Sequence, residues 1–110
     1  MSPELQNQVQ DLQRLGSQYQ ATQQQRQQYE VMKYEAEAAL EALKGVEDSV
    51  AVFRAIGSIM IQEDKAAAVA RLTDESETME VRIERTKKQE EIMRNQVTTL
   101  QKKIQAALPQ

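Results

Sequence analysis

One stretch, Val50 to Gln62, reads VAVFRAIGSIMIQ and limits what the whole chain can become. Polar segments of roughly forty residues, rich in glutamine and glutamate and patterned like helices, lie on either side of it. The stretch breaks that pattern by crowding Val50, Val52, Phe53, Ile56, Ile59, Met60 and Ile61 into a short span with one glycine near its middle. β-Branched and aromatic residues around a small-residue turn predict two short strands, about 50–55 and 59–62, with Ile56, Gly57 and Ser58 at the bend. Gly57 can adopt positive φ without a Cβ penalty, as such a bend usually requires.

A hairpin lying on its own protein alternates apolar and polar residues, because only one face is covered. Here Val52 and Phe53 are adjacent and Ile59, Met60 and Ile61 run together, so both faces are apolar. An isolated two-stranded hairpin is marginal in water, and its outer edges carry unpaired N–H and C=O groups. Two helical arms cannot readily cover both faces and both edges. Further copies or relatives of the hairpin, pairing edge to edge, solve the problem. Val50, Val52, Phe53, Ile56, Gly57, Ile59, Met60 and Ile61 are therefore the expected oligomerisation residues.

The first arm, residues 3–44, starts at Ser2-Pro3-Glu4, where serine caps, proline suits the first turn and glutamate favours the dipole. Leu5, Leu12, Leu15, Tyr19, Tyr29, Ala36, Leu40 and Leu43 share one heptad seam, with Thr22, Arg26 and Lys33 in core slots. A solvated helix face accounts for the glutamines between residues 23 and 28. Lys44-Gly45 is a helix stop. The hairpin region covers residues 45–63. The second arm, residues 64–108, has Asp64 as its N-cap and Pro109 as its stop, and the heptad frame runs unbroken from Val69 and Leu72 to Ile104 and Ala107. Each arm is roughly 60–70 Å long. They can fold back as an antiparallel coiled coil that pairs Leu40 with Leu72, Lys33 with Met79, Arg26 with Thr86 and Tyr19 with Met93. That register sets Arg26 one step from Glu90, where the two either meet across the seam or extend into water. Where the termini meet, Val9 and Leu108 lie one position off the seam. Terminal turns fray, so Leu5, Val9, Leu12, Leu100, Ile104 and Leu108 form a candidate apolar grip on other proteins, or simply the sticky end of a coiled coil.

The composition excludes several classes of activity. The chain of 110 residues has no Cys and no His, so it lacks a disulfide framework, thiolate metal sites and the commonest general base. No catalytic residue, cofactor site or metal site is expected, and no enzyme: the glycines form no phosphate loop, and Glu90-Glu91 sit among lysines and arginines as on any solvated helix. Net charge is −3 without a basic stripe, which argues against nucleic acid. No apolar run is long enough for a bilayer and MSPELQNQ is no signal peptide, so a cytoplasmic location is expected.

The order helix, V-x-V-F-R-x-I-G-x-I-x-I hairpin, helix and terminal I-Q-A-A-L resembles the prefoldin family, in particular its β-class archaeal subunits. The likeness is carried by Val52-Phe53-Arg54 to Gly57, Ile59 and Ile61, by Met79-Glu80-Val81-Arg82, and by Ile104 to Leu108. It implies an α+β, mostly α chain: a long antiparallel two-helix coiled coil with one β-hairpin at its base, whose copies assemble into an oligomeric β-barrel body. It also implies a hexamer of two α-class and four β-class subunits. Such a hexamer would be an ATP-independent chaperone that holds unfolded proteins at the coiled-coil tips and delivers them to a group II chaperonin. The alternative is a structural coiled-coil spacer or adaptor that docks one defined partner through its hairpin.

Overall fold

In a computed structural model that describes residues 2–108, the chain runs α1 (Pro3–Lys44), β1 (Val52–Ile56), β2 (Ile59–Glu63) and α2 (Lys65–Ala107). It is the expected mostly helical chain with one antiparallel hairpin. Ser2 caps α1: its Oγ accepts the Leu5 N–H at 3.1 Å and its carbonyl accepts the Gln6 N–H at 3.0 Å. The end of α1 differs from a glycine C-cap. The N–H groups of Gly45 and Val46 donate three residues back to Ala42 and Leu43, at 3.3 and 3.1 Å, and Gly45 does not take positive φ. A tightened last turn thus satisfies carbonyls that a left-handed residue would otherwise serve. Asp64 takes the N-cap position of α2, its carbonyl accepting the Ala68 N–H at 3.0 Å. Pro109, the expected stop of α2, lies outside the described residues.

The chain divides into two compact units. One is the continuous segment Gln28–Arg82, which contains the hairpin. Its core is Ala36, Leu43, Ala68 and Leu72, flanked by Ala39, Leu40, Val52 and Val69. Met79 is also buried here. Lys33 reaches Glu80, and Ser76 Oγ donates to Glu37 Oε1 at 3.3 Å, so the helix segments run antiparallel. The expected partner of Lys33 was Met79, one residue away from Glu80. The other unit is formed by the helix segments that end at Gln27 and begin at Ile83. It buries Leu5, Ile83, Thr86 and Glu90. Thr22 Oγ1 lies 3.5 Å from Met93 Sδ, and Arg26 reaches Glu90, again an antiparallel pairing. The expected partner of Met93 was Tyr19. Tyr19 and Thr22 are both seam residues, in adjacent slots.

Strands β1 and β2 pair in the register Val52↔Glu63, Phe53↔Gln62, Arg54↔Ile61, Ala55↔Met60 and Ile56↔Ile59. The strands are therefore shifted from the predicted 50–55 and 59–62. Ile56 is in the ladder, and the turn is only Gly57-Ser58. Gly57 has φ 58° while no other described residue has positive φ, which is the sign pattern of a II′ turn. Val50 stays outside because its N–H closes a turn onto the Glu47 carbonyl at 3.0 Å.

A Cβ added at Gly57 would meet nothing within 4 Å, so any substitution cost there is purely conformational. Gly57→Ala should destabilise the hairpin by about 1–2 kcal/mol, whereas Gly57→Asn should cost less. Amide exchange across Val52–Glu63 should then speed up roughly tenfold for alanine with helical circular dichroism unchanged. Equal protection in both variants would show that the turn does not depend on a left-handed residue.

Candidate interaction surfaces

The register sorts the hairpin into two faces, since paired residues point to the same side. Val52, Arg54, Ile56, Ile59, Ile61 and Glu63 occupy one, and Phe53, Ala55, Met60 and Gln62 the other. Only the ends nearest the helices are partly covered: Val52 rests on the core and Glu63 is half-buried. Beyond them, Phe53, Ile56, Ile59, Met60 and Ile61 are all between 47% and 68% exposed, as is Val50 in the preceding loop. In a hairpin closed by a two-residue turn, the flanking pair Ile56↔Ile59 is hydrogen-bonded and alternate pairs are not. The backbone N–H and C=O groups of Phe53 and Ala55 therefore point out along one edge, and those of Met60 and Gln62 along the other. Two apolar faces and two open edges converge on ten residues.

The base of this element is held by charge. Arg71 donates to Glu63 Oε1 at 2.6 Å and lies 3.9 Å from Glu75, tying β2 to α2. The Glu63 hydrogen bond raises the pKa of Arg71 against the opposing effect of burial. Lys65 donates to the Val46 carbonyl at 2.6 Å and sits 3.3 Å from Asp48, which fixes the loop after α1 to the start of α2. The hairpin is thus carried on a firm mount while its apolar surface stays uncovered.

Further along the helices of the same unit, the Lys33 pKa is raised, first by its hydrogen bond to Glu80. Arg82 lies over the Tyr29 ring at 5.7 Å. In the other unit, Arg26 Nε donates to Glu90 Oε2 at 2.6 Å, with side chains only 22% and 11% exposed. Of the two readings of these charges, the contact across the seam is the one found. The second oxygen, Glu90 Oε1, is buried without a hydrogen-bond partner.

At the ends of that unit the grip residues separate. Leu108 is 43% exposed, and Val9, Leu12, Leu100 and Ile104 are half-buried. Leu5, expected among the residues available to other proteins, is buried at 6%, because the Ser2 cap holds the first turn in helical geometry and Leu5 in the seam. Among the described residues no group of three or more metal-binding side chains is placed to hold an ion, and no helix is long and apolar enough to cross a membrane.

Known proteins share this arrangement. The sequence profile of the family described as prefoldin subunit matches residues 6–110. The prefoldin subunit beta of Archaeoglobus fulgidus is 39% identical over 98% of this chain and 93% of its own length. That of Methanospirillum hungatei is 34% identical over 98% of this chain and 90% of its own. The crystal structure of the prefoldin beta subunit from Thermococcus strain KS-1 superposes with a TM-score of 0.85 at 29% identity, covering 99% of this chain and 96% of that one. The beta2 subunit from the same strain shares the fold, with a TM-score of 0.73 at 19% identity.

Proposed function

This chain belongs to the prefoldin family, and from that premise we propose that it is the β-class part of an ATP-independent holding chaperone. Prefoldin is a chaperone family, so the chain is read as a chaperone subunit and not as an enzyme. In the proposed assembly, four copies join two α-class subunits, and the hairpins close into a β-barrel body. The helices carry the termini away from that body, and their ends hold unfolded proteins for delivery to a group II chaperonin in the cytoplasm. The observation that carries this reading is the hairpin: its large apolar side chains are exposed on both faces of a sheet that also has two open edges. Such edges and faces are ordinarily paired with other strands or covered by a partner.

The apolar surface near the termini is smaller than that of the hairpin. Leu108 and the half-buried Val9, Leu12, Leu100 and Ile104 give a modest apolar contact, suited to weak, repeated binding. Several such ends around one body would hold a client by avidity with no tight single site. The charges nearby are mixed (Glu4, Asp11 and Arg14 on α1; Arg94, Lys102 and Lys103 on α2), so clients of either sign are accommodated.

The test is suppression of aggregation of several unrelated denatured proteins without nucleotide. Val9→Ser with Leu108→Ser should leave the size of the assembly unchanged and weaken capture about threefold to tenfold, the order expected when apolar area at each end is lost. Substitution is preferable to deletion because Leu5 belongs to the buried seam. Unchanged capture would move the grip elsewhere on the helices. Protection of no unrelated protein, with tight binding to one partner, would instead identify an adaptor.

A further inference from the structure

Edge-to-edge pairing of hairpins leaves one packing problem unsolved. A sheet made from several hairpins turns one face inward and the other outward. Both faces of this hairpin are apolar, so the outward one still needs cover. The face bearing Ile56, Ile59 and Ile61 has a single cation at its centre, Arg54, directly across the ladder from Ile61. Among the described residues, Arg54 makes no ion pair within the chain.

A matching surface lies on the same unit. The side of α1 turned away from the seam presents Val31, Tyr34 and Ala38, spaced i, i+3, i+7, with Val31 56% and Tyr34 72% exposed. The outer face of such a helix is ordinarily polar. One anion, Glu35, sits within this stripe and is exposed. Its neighbours on α1 are engaged, Glu37 with Ser76 and Lys33, and Glu41 with Lys44. Among the described residues Glu35 makes no ion pair.

We propose that the Arg54 face of one hairpin seats on the Val31–Ala38 stripe of a second copy of this chain, with Arg54 pairing to Glu35 of that copy. The dimensions agree. Val31 to Ala38 spans about 10 Å of helix, and the sheet from Arg54 to Ile56 spans about 7 Å along the strand before its side chains are added. An apolar sheet face with one central cation meets an apolar helix face with one central anion, and charge fixes the register of an otherwise featureless contact. The two charges are unpaired within one chain, so the pairing is between copies. The contact is heterologous, the hairpin of one copy on the helix of the next, and not a symmetric pair. This inference rests on the reading of the hairpin as an assembly element.

The test is a charge reversal followed by sedimentation velocity over a concentration series. Arg54→Glu and Glu35→Arg should each weaken self-association about tenfold or more, and the double reversal should recover most of it. Both positions are exposed, so helical circular dichroism should be the same in every variant. Unchanged association in either single variant, or no recovery in the double, would overturn the proposal. If Phe53→Asp with Ile61→Asp dissociates the chain while Glu35→Arg does not, the hairpin reading stands and only the stripe fails. A wild-type chain that is monomeric throughout would overturn the contact between copies, while assembly on mixing with an α-class subunit would keep the hairpin reading.

Discussion

A chain carrying Phe53→Asp together with Ile61→Asp should sediment as a monomer and lose all protection of denatured proteins against aggregation. The register makes this pair decisive, because Phe53 and Ile61 lie on opposite faces and each face receives a charge. Burying one large apolar side chain is worth about 1.5–3 kcal/mol, and a carboxylate forced into the same place without a partner costs more than that gain. The loss recurs at every contact that a hairpin makes, so no rearrangement of the proposed assembly escapes it. The isolated fold should survive, since both side chains are about half exposed in the single chain and neither belongs to its core. Helical circular dichroism is therefore the control. A monomer that still protected clients would show that one chain's helix ends suffice, and would remove avidity from the account. An assembly of unchanged size would mean that the hairpin is not the joint.

How much of this element is legible in the sequence depends on what kind of signal each residue sends. The run of β-branched residues around Gly57 identified the hairpin and its exposure, because no polar alternation was present to suggest a covered face. Its ends were displaced by one or two residues. Whether Ile56 turns or pairs is decided by the two-residue II′ geometry at Gly57-Ser58, which composition does not resolve. The heptad seam was legible through its long apolar residues but not through Ala68, the most buried residue of the core at 1%. A methyl group adds little to a periodicity, yet it lets the helices approach closely. Arg26 and Glu90 could be placed one step apart but not joined, since that depends on side-chain torsions. The Val31–Tyr34 stripe was missed for a different reason. It sits at outer positions that a search for a seam discards, and its only signal is an apolar residue where solvent predicts a polar one. Leu5, a seam residue expected to be exposed intermittently by fraying, is buried at 6% beneath the Ser2 cap.

Arg26→Ala should lower stability more than any other single substitution of a charged residue in the chain, by about 2–4 kcal/mol. The substitution leaves the Glu90 carboxylate, already lacking a partner for Oε1, in a site where its side chain is only 11% exposed. Arg26 itself is 22% exposed, so water relieves part of the penalty and the lower half of that range is the better guide. For a chain of this size the change corresponds to a fall in Tm of roughly 8–20 °C, read at fixed protein concentration. The companion variant, Arg26→Leu with Glu90→Leu, should melt at or above the wild-type temperature, because an apolar layer of similar volume avoids desolvating two charges and removes the orphaned oxygen. What that variant loses is discrimination. In a seam of near-equivalent apolar layers, the helices can slip by a heptad without penalty, whereas a single buried pair matches in only one alignment. Cysteine crosslinking between Thr22 and Met93, which lie 3.5 Å apart at Oγ1 and Sδ, should therefore give one product in the wild-type background and additional registers in the leucine variant. A stabilised leucine variant with a single crosslinked register would show that the surrounding apolar seam already specifies the alignment, and a Tm for Arg26→Ala within about 2 °C of wild type would show that the pair is fully solvated.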